Sequence, residues 1–341
     1  MKKITRPAVA AAVLGFGLLL AACSPPVQSA DPAAKAAIDP AKTLSVGFFG
    51  FAKSNAFAQG VFVGVQQAAK ANNAEATFVD SNFDAQTQVQ QIQDAVTSHQ
   101  FDVMVVQAND NQALIAPLTQ AVKAGITVVT EFSIVGPKFD TVEPQIPGTI
   151  SIVDMPTSNG KALGEMAKMA CATVPSVPCQ VAYLEGFKSL PLDNARTDAF
   201  KAEVATDPKI KLVASVEGGY TADEGRKAFQ DVSQANQSLN VVVGSSQAIT
   251  GASQAAGQTD IKFIGNGTSK SNVEAVKSGR WFGIYVNDTV TDGAKATELG
   301  LAQARGKKVE TAVNEATLAP NNGIGTKEAL EKANFVSAYD D

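Results

Sequence analysis

The alternation of short apolar runs with longer amphipathic stretches is the feature that most constrains the fold of this chain. Runs rich in Val, Ile and Phe, such as 44–51 and 103–106, alternate with stretches such as 57–71, in which apolar residues recur at helical spacing. Strands that are apolar on both faces and separated by helices are typical of parallel sheets covered on both sides. The pattern therefore predicts an α/β fold.

The alternation forms two consecutive blocks, separated by a loop rich in Pro and Gly at 136–148. The predicted strands are 44–51, 77–80, 103–106, 126–130, 149–153, 181–184, 211–216, 239–243, 262–264 and 282–286. The predicted helices are 57–71, 86–98, 112–124, 159–171, 191–206, 222–235, 247–256, 271–278 and 291–305. Because the pattern restarts after the loop, we predict two doubly wound parallel-sheet domains, and we assign no structure to the irregular segment 314–325.

The first 22 residues have the organisation of a bacterial export signal. A basic start precedes an apolar run at 8–22, which is shorter than the roughly 20 residues that a membrane-spanning helix needs. Cys23 follows Leu-Ala-Ala, which resembles the processing site of bacterial lipoproteins. We expect a signal peptide at 1–22, a lipidated Cys23 and a flexible tether at 23–42, rich in Pro, Ala and Ser. The alternative is an ordinary secretory signal followed by an incidental cysteine.

Composition excludes several partners. The formal net charge is −5 and the isoelectric point is near 5.1, so the chain lacks the basic surface that binds nucleic acid. His99, the single histidine, is expected at a helix end rather than in a catalytic site. No nucleophile elbow, phosphate-binding loop or cluster of metal ligands occurs in the sequence. We therefore expect no enzyme activity, no metal and no cofactor.

Two further cysteines, Cys171 and Cys179, flank a short loop that contains two prolines. An exported chain meets oxidising conditions, in which two thiols that close a short loop are expected to form a disulfide. Metal binding is the alternative, but the sequence offers no further ligands nearby.

Six segments together resemble the type I periplasmic binding proteins, and in particular the ribose- and galactose-binding group. They are 47–57 with its Asn-Ala-Phe loop, 101–110, 159–164, the segment around Arg196, and the pair of loops at 265–268 and 286–287. The resemblance covers residues 43–318 and rests on the order and spacing of these segments. It implies a receptor with two lobes, 43–153 plus 289–318 and 154–288 plus 319–341, that close on a hinge of three crossings.

The resemblance also implies a ligand site at the carboxyl ends of the strands. Its candidate residues are Asn55, Phe57, Gln107, Phe132, Arg196, Tyr220, Ser246, Asn266 and Asn287. Amide side chains donate to and accept from hydroxyl groups, aromatic faces suit the C–H side of a ring, and arginine offers a planar fork of donors. The alternatives are core packing for Phe57 and Tyr220, and a solvated helix face for Arg196, paired with Asp193 or Asp198.

The sequence departs from the family at two positions that contact sugars. Phe132-Ser133 stands where relatives carry an Asp-Arg pair, and Asn266 stands where they carry an aspartate. Glu131, Asp154 and Glu185 are possible replacements. We expect a pocket that is less acidic and more aromatic. Its possible aromatic lining residues are Phe48, Phe51, Phe57, Phe132, Phe187 and Tyr220.

These features predict a lipid-anchored, monomeric solute-binding protein of an ABC importer, with a membrane permease as its partner. A sugar or polyol is the favoured ligand, and a nucleoside-like, aromatic or small acidic ligand is the alternative. A sensory subunit that presents the bound ligand to a membrane receptor is a second alternative. The effector domain of a repressor shares the fold, but it would carry a basic DNA-binding segment where this chain has an export signal.

Overall fold

The computed structural model describes residues 41–340. The predicted signal peptide at 1–22, Cys23 and nearly all of the tether at 23–42 lie outside the described residues. Within 41–340, no helix is long and apolar enough to cross a membrane.

Twelve strands and ten α-helices make up the described chain. The strands are β1 Leu44–Gly50, β2 Ala74–Asp80, β3 Val103–Val106, β4 Thr127–Phe132, β5 Ile150–Val153, β6 Cys179–Glu185, β7 Ile210–Glu217, β8 Val241–Ser245, β9 Lys262–Asn266, β10 Gly283–Tyr285, β11 Ala312–Asn314 and β12 Ile324–Thr326. The helices are α1 Ala56–Ala71, α2 Ala85–Thr97, α3 Ile115–Lys123, α4 Pro156–Cys171, α5 Pro191–Val204, α6 Ala222–Ala235, α7 Ser246–Ala256, α8 Lys270–Lys277, α9 Thr289–Ala304 and α10 Lys327–Lys332.

The strands form two six-stranded sheets, with the orders β11-β5-β4-β3-β1-β2 and β12-β10-β9-β8-β6-β7. The first sheet is parallel throughout, and the second is parallel except at β12, which runs antiparallel to β10. The predicted α/β class with two parallel-dominated sheets is confirmed. The sequence pattern missed β11 and β12, because these three-residue strands lie outside any apolar run, whereas the equally short β10 lies within the apolar run 282–286.

Each sheet has an apolar core on both of its faces. Alternate residues of β3 divide between two clusters, with Val103 and Val105 in one and Met104 and Val106 in the other. The second sheet is packed in the same way, with one cluster on each face. Strands covered on both faces carry near-continuous apolar runs, which is the pattern seen in the sequence.

The chain passes between the sheets three times. We call these stretches the crossing segments: 154–155 between β5 and α4, 286–288 between β10 and α9, and 315–323 between β11 and β12. Helix α4 packs on the second sheet, whereas α9 returns to the first sheet and packs on α1. The crossing segments therefore begin at the carboxyl ends of strands, where ligands bind in open parallel sheets.

Helices α1 and α9 touch through their backbones. A Cβ atom on Gly64 of α1 would lie 2.0 Å from the carbonyl oxygen of Val290, and one on Gly293 of α9 would lie 2.1 Å from the carbonyl oxygen of Val61. Only glycine leaves room for this approach. The contact fixes the start of α9, and with it the second crossing segment, against the first sheet.

Cys171 and Cys179 form the predicted disulfide, which joins the end of α4 to the start of β6. We expect the double variant Cys171→Ser/Cys179→Ser to lose roughly 2–3 kcal/mol of unfolding free energy, because the bridge restricts the unfolded chain across a short loop. Chemical denaturation with and without a reductant measures this loss. A reductant should destabilise the parent protein and leave the double variant unchanged, and equal responses would contradict the expectation.

Candidate ligand-binding site

Eight of the nine predicted ligand residues lie at the carboxyl ends of strands, in the turns that follow or, for Phe57 and Ser246, in the first turn of the next helix. Asn55 and Phe57 follow β1, Gln107 follows β3, and Phe132 ends β4. In the second sheet the corresponding positions are Tyr220 after β7, Ser246 after β8, Asn266 at the end of β9 and Asn287 after β10. Arg196 differs because it lies within α5.

Aromatic side chains line the strand ends of the first sheet. The ring centroids of Phe57 and Phe132 lie 4.8 Å apart, and Phe51 lies 6.2 Å from Phe132. These three rings, which we call the aromatic wall, are half-buried. Phe57 also lies 6.0 Å from Tyr339 of the C-terminal tail. Tyr339 accepts a hydrogen bond from the backbone N–H of Thr268 in the second lobe, so this contact bridges the two sheets.

The other predicted aromatic residues differ in their surroundings. Phe187 and Tyr220 form an edge-to-face pair with centroids 5.3 Å apart in the second lobe. Phe48 is fully buried between Phe62 and Phe78, so its prediction as a lining residue is wrong. The reason is the strand period, which turns Phe48 into the sheet core while Phe51 lies beyond the strand end.

Phe132 is held by an unusual backbone conformation. Its φ is +58°, in the left-handed region that side chains other than glycine rarely adopt. Its N–H donates a hydrogen bond of 2.7 Å to Oε1 of Glu315, in the third crossing segment. This bond ties the end of β4 to the segment that joins the two sheets.

Arg196 is buried, with a relative exposure of 6%, rather than on a solvated helix face. Its Nη1 donates to Oδ1 of Asp193 at 2.8 Å and to the hydroxyl oxygen of Tyr220 at 3.2 Å, and Tyr220 donates to the same Asp193 oxygen at 2.6 Å. Nε of Arg196 has no hydrogen-bond partner among the described residues. Burial lowers the pKa of Arg196, but the phenol of Tyr220 and the carboxylate of Asp193 outweigh it and raise the pKa above its usual value.

Backbone packing sets the position of Arg196. A Cβ atom on Gly160 of α4 would lie 2.1 Å from the carbonyl oxygen of Arg196, so α4 and α5 are in direct contact at this residue. Because α4 starts at the first crossing segment, the position of Arg196 is coupled to that segment.

Asp154, in the first crossing segment, connects several polar groups of the second lobe. It accepts hydrogen bonds from the Tyr285 hydroxyl at 2.8 Å and from Nδ2 of Asn159 at 2.7 Å. Asn159 donates in turn to Oδ1 of Asn266 at 3.2 Å. Burial raises the pKa of Asp154, and the attraction of Arg196 opposes this only in part.

Glu131, at the end of β4, is fully buried, and neither of its carboxylate oxygens has a hydrogen-bond partner among the described residues. Burial raises its pKa to about 8, and the neighbouring side chain of Gln107 opposes this shift. Nε2 of Gln107 is itself unpartnered, and its Oε1 accepts a hydrogen bond from the backbone N–H of Phe51 at 3.3 Å.

Two further buried carboxyl groups interact with Glu131. Asp292 lies in the first turn of α9, and Glu315 lies in the third crossing segment. Burial raises the pKa of both groups well above their usual values, and repulsion among Glu131, Asp154, Asp292 and Glu315 raises them further. We call these four residues the carboxyl cluster. Of these four buried residues, the sequence analysis names only Glu131 and Asp154.

Sequence reasoning missed Asp292 and Glu315 because neither has a distinctive local signal. An acidic residue in the first turn of a helix is commonly explained by the helix dipole, and Glu315 lies in the segment that had no assignment. Of the three proposed replacements, Glu131 and Asp154 belong to the cluster. Glu185 does not, because it forms ion pairs with Lys201 at 3.3 Å and Lys188 at 3.7 Å.

The remaining predicted residues have partly structural roles. Oδ1 of Asn55 caps α1 by accepting from the N–H of Ala58 at 2.8 Å. Ser246 is buried at the start of α7, with its Oγ 3.3 Å from Oε1 of Gln247. Asn287 is buried in the second crossing segment, where its N–H donates to Oγ1 of Thr268 at 2.9 Å. Of these three residues, Asn287 lies where the lobes join.

A depression of about 1110 Å³ lies elsewhere, at the opposite edge of the second sheet. Residues at the start of β9 and before β10, including Lys262, Arg280 and Trp281, line it. It contains none of the predicted ligand residues, and it lies at the amino ends of the strands. It is therefore separate from the candidate site.

We predict that Glu131 makes the protein less stable as the pH rises. A carboxyl group whose pKa is about 8 when folded and 4.5 when unfolded favours the folded state at low pH. That contribution is lost as the pH rises through this window, at about 1.4 kcal/mol per pH unit. In denaturation at pH 5, 6.5 and 8, the unfolding free energy of the parent should fall more steeply than that of Glu131→Gln. The control Glu165→Gln should follow the parent, and equal slopes for all three proteins would contradict the prediction.

The sequence of residues 46–308 matches the family model described as a periplasmic binding protein domain. The chain belongs to this periplasmic binding protein family. Membership confirms the prediction of a type I periplasmic binding protein, a solute-binding protein rather than an enzyme. No curated protein sequence matches the chain.

Solved structures of other periplasmic binding proteins share the fold. An ABC transporter periplasmic solute-binding protein from Actinobacillus succinogenes with bound D-allose is 19% identical and superposes with a TM-score of 0.73, over 85% of this chain and 100% of that one. A solute-binding protein from Mycobacterium smegmatis with bound glycerol is 23% identical, with a TM-score of 0.70 over 88% and 100%. One from Agrobacterium vitis, bound with α-D-tagatopyranose, is 21% identical, with a TM-score of 0.72 over 87% and 100%.

Proposed function

We propose that this chain is the extracytoplasmic receptor of an ABC importer, and that it captures a sugar, a polyol or a closely related polar ligand between its two lobes. The observation that carries the proposal is that polar and aromatic side chains lie at the carboxyl ends of the strands in both sheets, where the crossing segments begin. The first lobe supplies the aromatic wall and Gln107, and the second supplies Arg196, Tyr220 and Asn266. The bound D-allose and glycerol of proteins with the same fold agree with this ligand class.

The lobes that we propose are 43–153 plus 289–318 and 154–288 plus 319–341, joined by the three crossing segments. A ligand that contacts both lobes stabilises the closed state, because the open state offers it fewer contacts. Each crossing segment also holds buried polar bonds, such as those from Tyr285 and Asn159 to Asp154. Because the crossing segments are the connections between the lobes, closure would change these segments and bring the site residues together. The apolar core of each lobe would stay unchanged.

In this proposal, the nine predicted residues contact either the hydroxyl groups or the apolar C–H groups of the ligand. Arg196, Asn55, Gln107, Asn266 and Asn287 offer donors and acceptors to hydroxyl groups, with Ser246 beside them, while Phe57, Phe132 and Tyr220 contact apolar C–H groups. A small anion paired with Arg196 is disfavoured, because Asp193 already neutralises the guanidinium and the carboxyl cluster lies nearby.

We propose further that the chain acts as a monomer anchored to the outer face of a membrane by lipid on Cys23. There it would deliver ligand to a permease. The supporting features are the basic start, the apolar run and the Leu-Ala-Ala-Cys sequence. A sensory role would use the same site and the same anchor.

Labelling cells with an alkyne-bearing fatty acid tests the anchor. The full chain should be labelled and should sediment with membranes. The variant Cys23→Ala should lose the label, whereas Cys171→Ser/Cys179→Ser should keep it. A label that persists in Cys23→Ala, or a parent protein that is never labelled, would contradict lipidation at Cys23.

A thermal-shift screen of the soluble chain from Ser24 tests the binding function. The panel should contain sugars, polyols, amino sugars, nucleosides and small acids. A ligand at 100 times its Kd adds about 2.7 kcal/mol of stability, which raises the melting temperature measurably. We expect a shift with a compound of the sugar or polyol class. Shifts restricted to nucleosides or acids would contradict the proposed ligand class.

We predict that Arg196→Lys lowers the affinity for that ligand about tenfold or more. Lysine keeps the charge beside Asp193 but lacks the planar donor fork of the guanidinium. Complete removal in Arg196→Ala would also destabilise the protein by about 3–5 kcal/mol, because it leaves Asp193 buried without its partner. Arg226→Lys is the matched control, since Arg226 forms the same i,i+3 pair with Asp223 on an exposed helix face. Equal affinities for both variants in calorimetry would remove Arg196 from the site.

A further inference from the structure

The carboxyl cluster contains more buried acidic groups than there are basic side chains paired with them among the described residues. Its members Glu131, Asp154, Asp292 and Glu315 have relative exposures of 0%, 3%, 1% and 2%. One of them lies in, or within one turn of, each crossing segment. Buried carboxylates are costly unless they are paired or protonated. Among the described residues, Arg196 attracts Asp154, and no basic side chain acts on Glu131, Asp292 or Glu315.

Several polar atoms at the cluster lack partners within the described residues. They are both oxygens of Glu131, Oδ1 of Asp292, Oε2 of Glu315 and the amide Nε2 of Gln107. Gln107 is fully buried, and its side chain is close enough to Glu131 to lower the pKa of that carboxyl group. Buried groups of this kind are normally satisfied in native proteins. The amide Nε2 of Gln107 is a donor beside Glu131, whereas the carboxyl oxygens of the cluster need further donors, and these oxygens point to a bound species that supplies them.

The aromatic wall adjoins the same carboxyl groups. Phe132 follows Glu131 in the chain and donates its backbone N–H to Glu315 at 2.7 Å, while its ring lies 4.8 Å from that of Phe57. Aromatic faces attract cations, and the combination of rings and carboxylates is suited to an organic ammonium group. A metal ion is a poorer fit, because no group of three or more potential ligands in residues 41–340 has metal-binding geometry.

We infer that the ligand of this chain is a sugar or polyol that carries a protonated amino group, and that the ammonium binds between the carboxyl cluster and the aromatic wall. The ammonium would donate to the unpartnered oxygens of Glu131 and Asp292, while Glu315 accepts from the backbone N–H of Phe132. The hydroxyl groups would extend toward the amide and guanidinium donors of the second lobe. This inference rests on the proposed function and narrows its ligand class.

Calorimetry at pH 7 with matched pairs of compounds tests the inference. The pairs are serinol and glycerol, 1-amino-1-deoxysorbitol and sorbitol, and glucosamine with glucose and N-acetylglucosamine. We expect at least one amine to bind about tenfold or more tightly than its hydroxyl or N-acetyl counterpart. Equal or tighter binding of the neutral partners would overturn the inference and leave the proposed function in place. Binding of neither series would overturn both.

Variants of the cluster locate the ammonium site. Glu131→Gln and Asp292→Asn keep the shape of the side chain and remove its charge, so neither adds a buried charge that would unfold the protein. Each should reduce the preference for the amine about tenfold while binding of the neutral partner changes little. Glu165→Gln, on the exposed side of α4, makes the same chemical change outside the site and should have no effect. A preference that survives both cluster variants would contradict the assignment.

Proton release gives an independent readout. The titratable and charged groups around the cluster are Glu131, Asp154, Asp288, Asp292, Glu315, Tyr285 and Arg196. An ammonium favours the ionised carboxylates, so binding of 1-amino-1-deoxysorbitol at pH 7 should release protons. Titrations in buffers of different ionisation enthalpy measure the number released. Glu131→Gln should reduce it, and the absence of release from the parent protein would count against the inference.

Discussion

Burial of four carboxyl groups where the chain passes between its sheets is the constraint on which the rest of this structure depends. Each group loses its hydration, and the apolar cores of the sheets offer no compensation. Asp154 is compensated by a phenol and an amide, and Glu315 by one backbone N–H. Glu131 has no hydrogen-bond partner within the described residues, so it requires a proton or a bound donor. In the proposed function, the ligand and protons therefore act on the same groups at the lobe junction.

The lobes are tightly packed, so a change in conformation is expected at the junction between them. Both sheets are packed on two faces, and α1 and α9 are in backbone contact at glycines, which leaves the lobes little internal freedom. The crossing segments, in contrast, are held by a small number of polar bonds. A ligand that completes those bonds from both sides would stabilise one arrangement of the lobes over others. The same reasoning connects Arg196 to the junction, since its backbone packs on Gly160 of α4.

The sequence predicts those elements whose signal lies within the element itself. The continuous apolar run of β3 and the helical spacing of apolar residues in α1 are signals of this kind, and both elements were located from them. The three-residue strands β11 and β12 are defined by pairing with β5 and β10, which local patterns do not record. In the candidate ligand site, the amide and aromatic residues could be proposed from the sequence because the predicted fold places ligands at the carboxyl ends of strands. Asp292 and Glu315 gain their significance from neighbours that are distant in the chain, so local patterns did not reveal these two buried carboxyl groups.

Closure of the two lobes around a ligand is the central claim, and a distance between the lobes tests it most directly. Ser54→Cys and Ser189→Cys place spin labels at exposed strand-end turns of the first and second lobes. Double electron–electron resonance would be recorded without ligand and with the best compound from the screen. The account predicts a shorter and narrower distance distribution with ligand, and no change for the control pair Ser54→Cys and Ser98→Cys, which lie in one lobe. A saturated protein with an unchanged inter-lobe distance would contradict it.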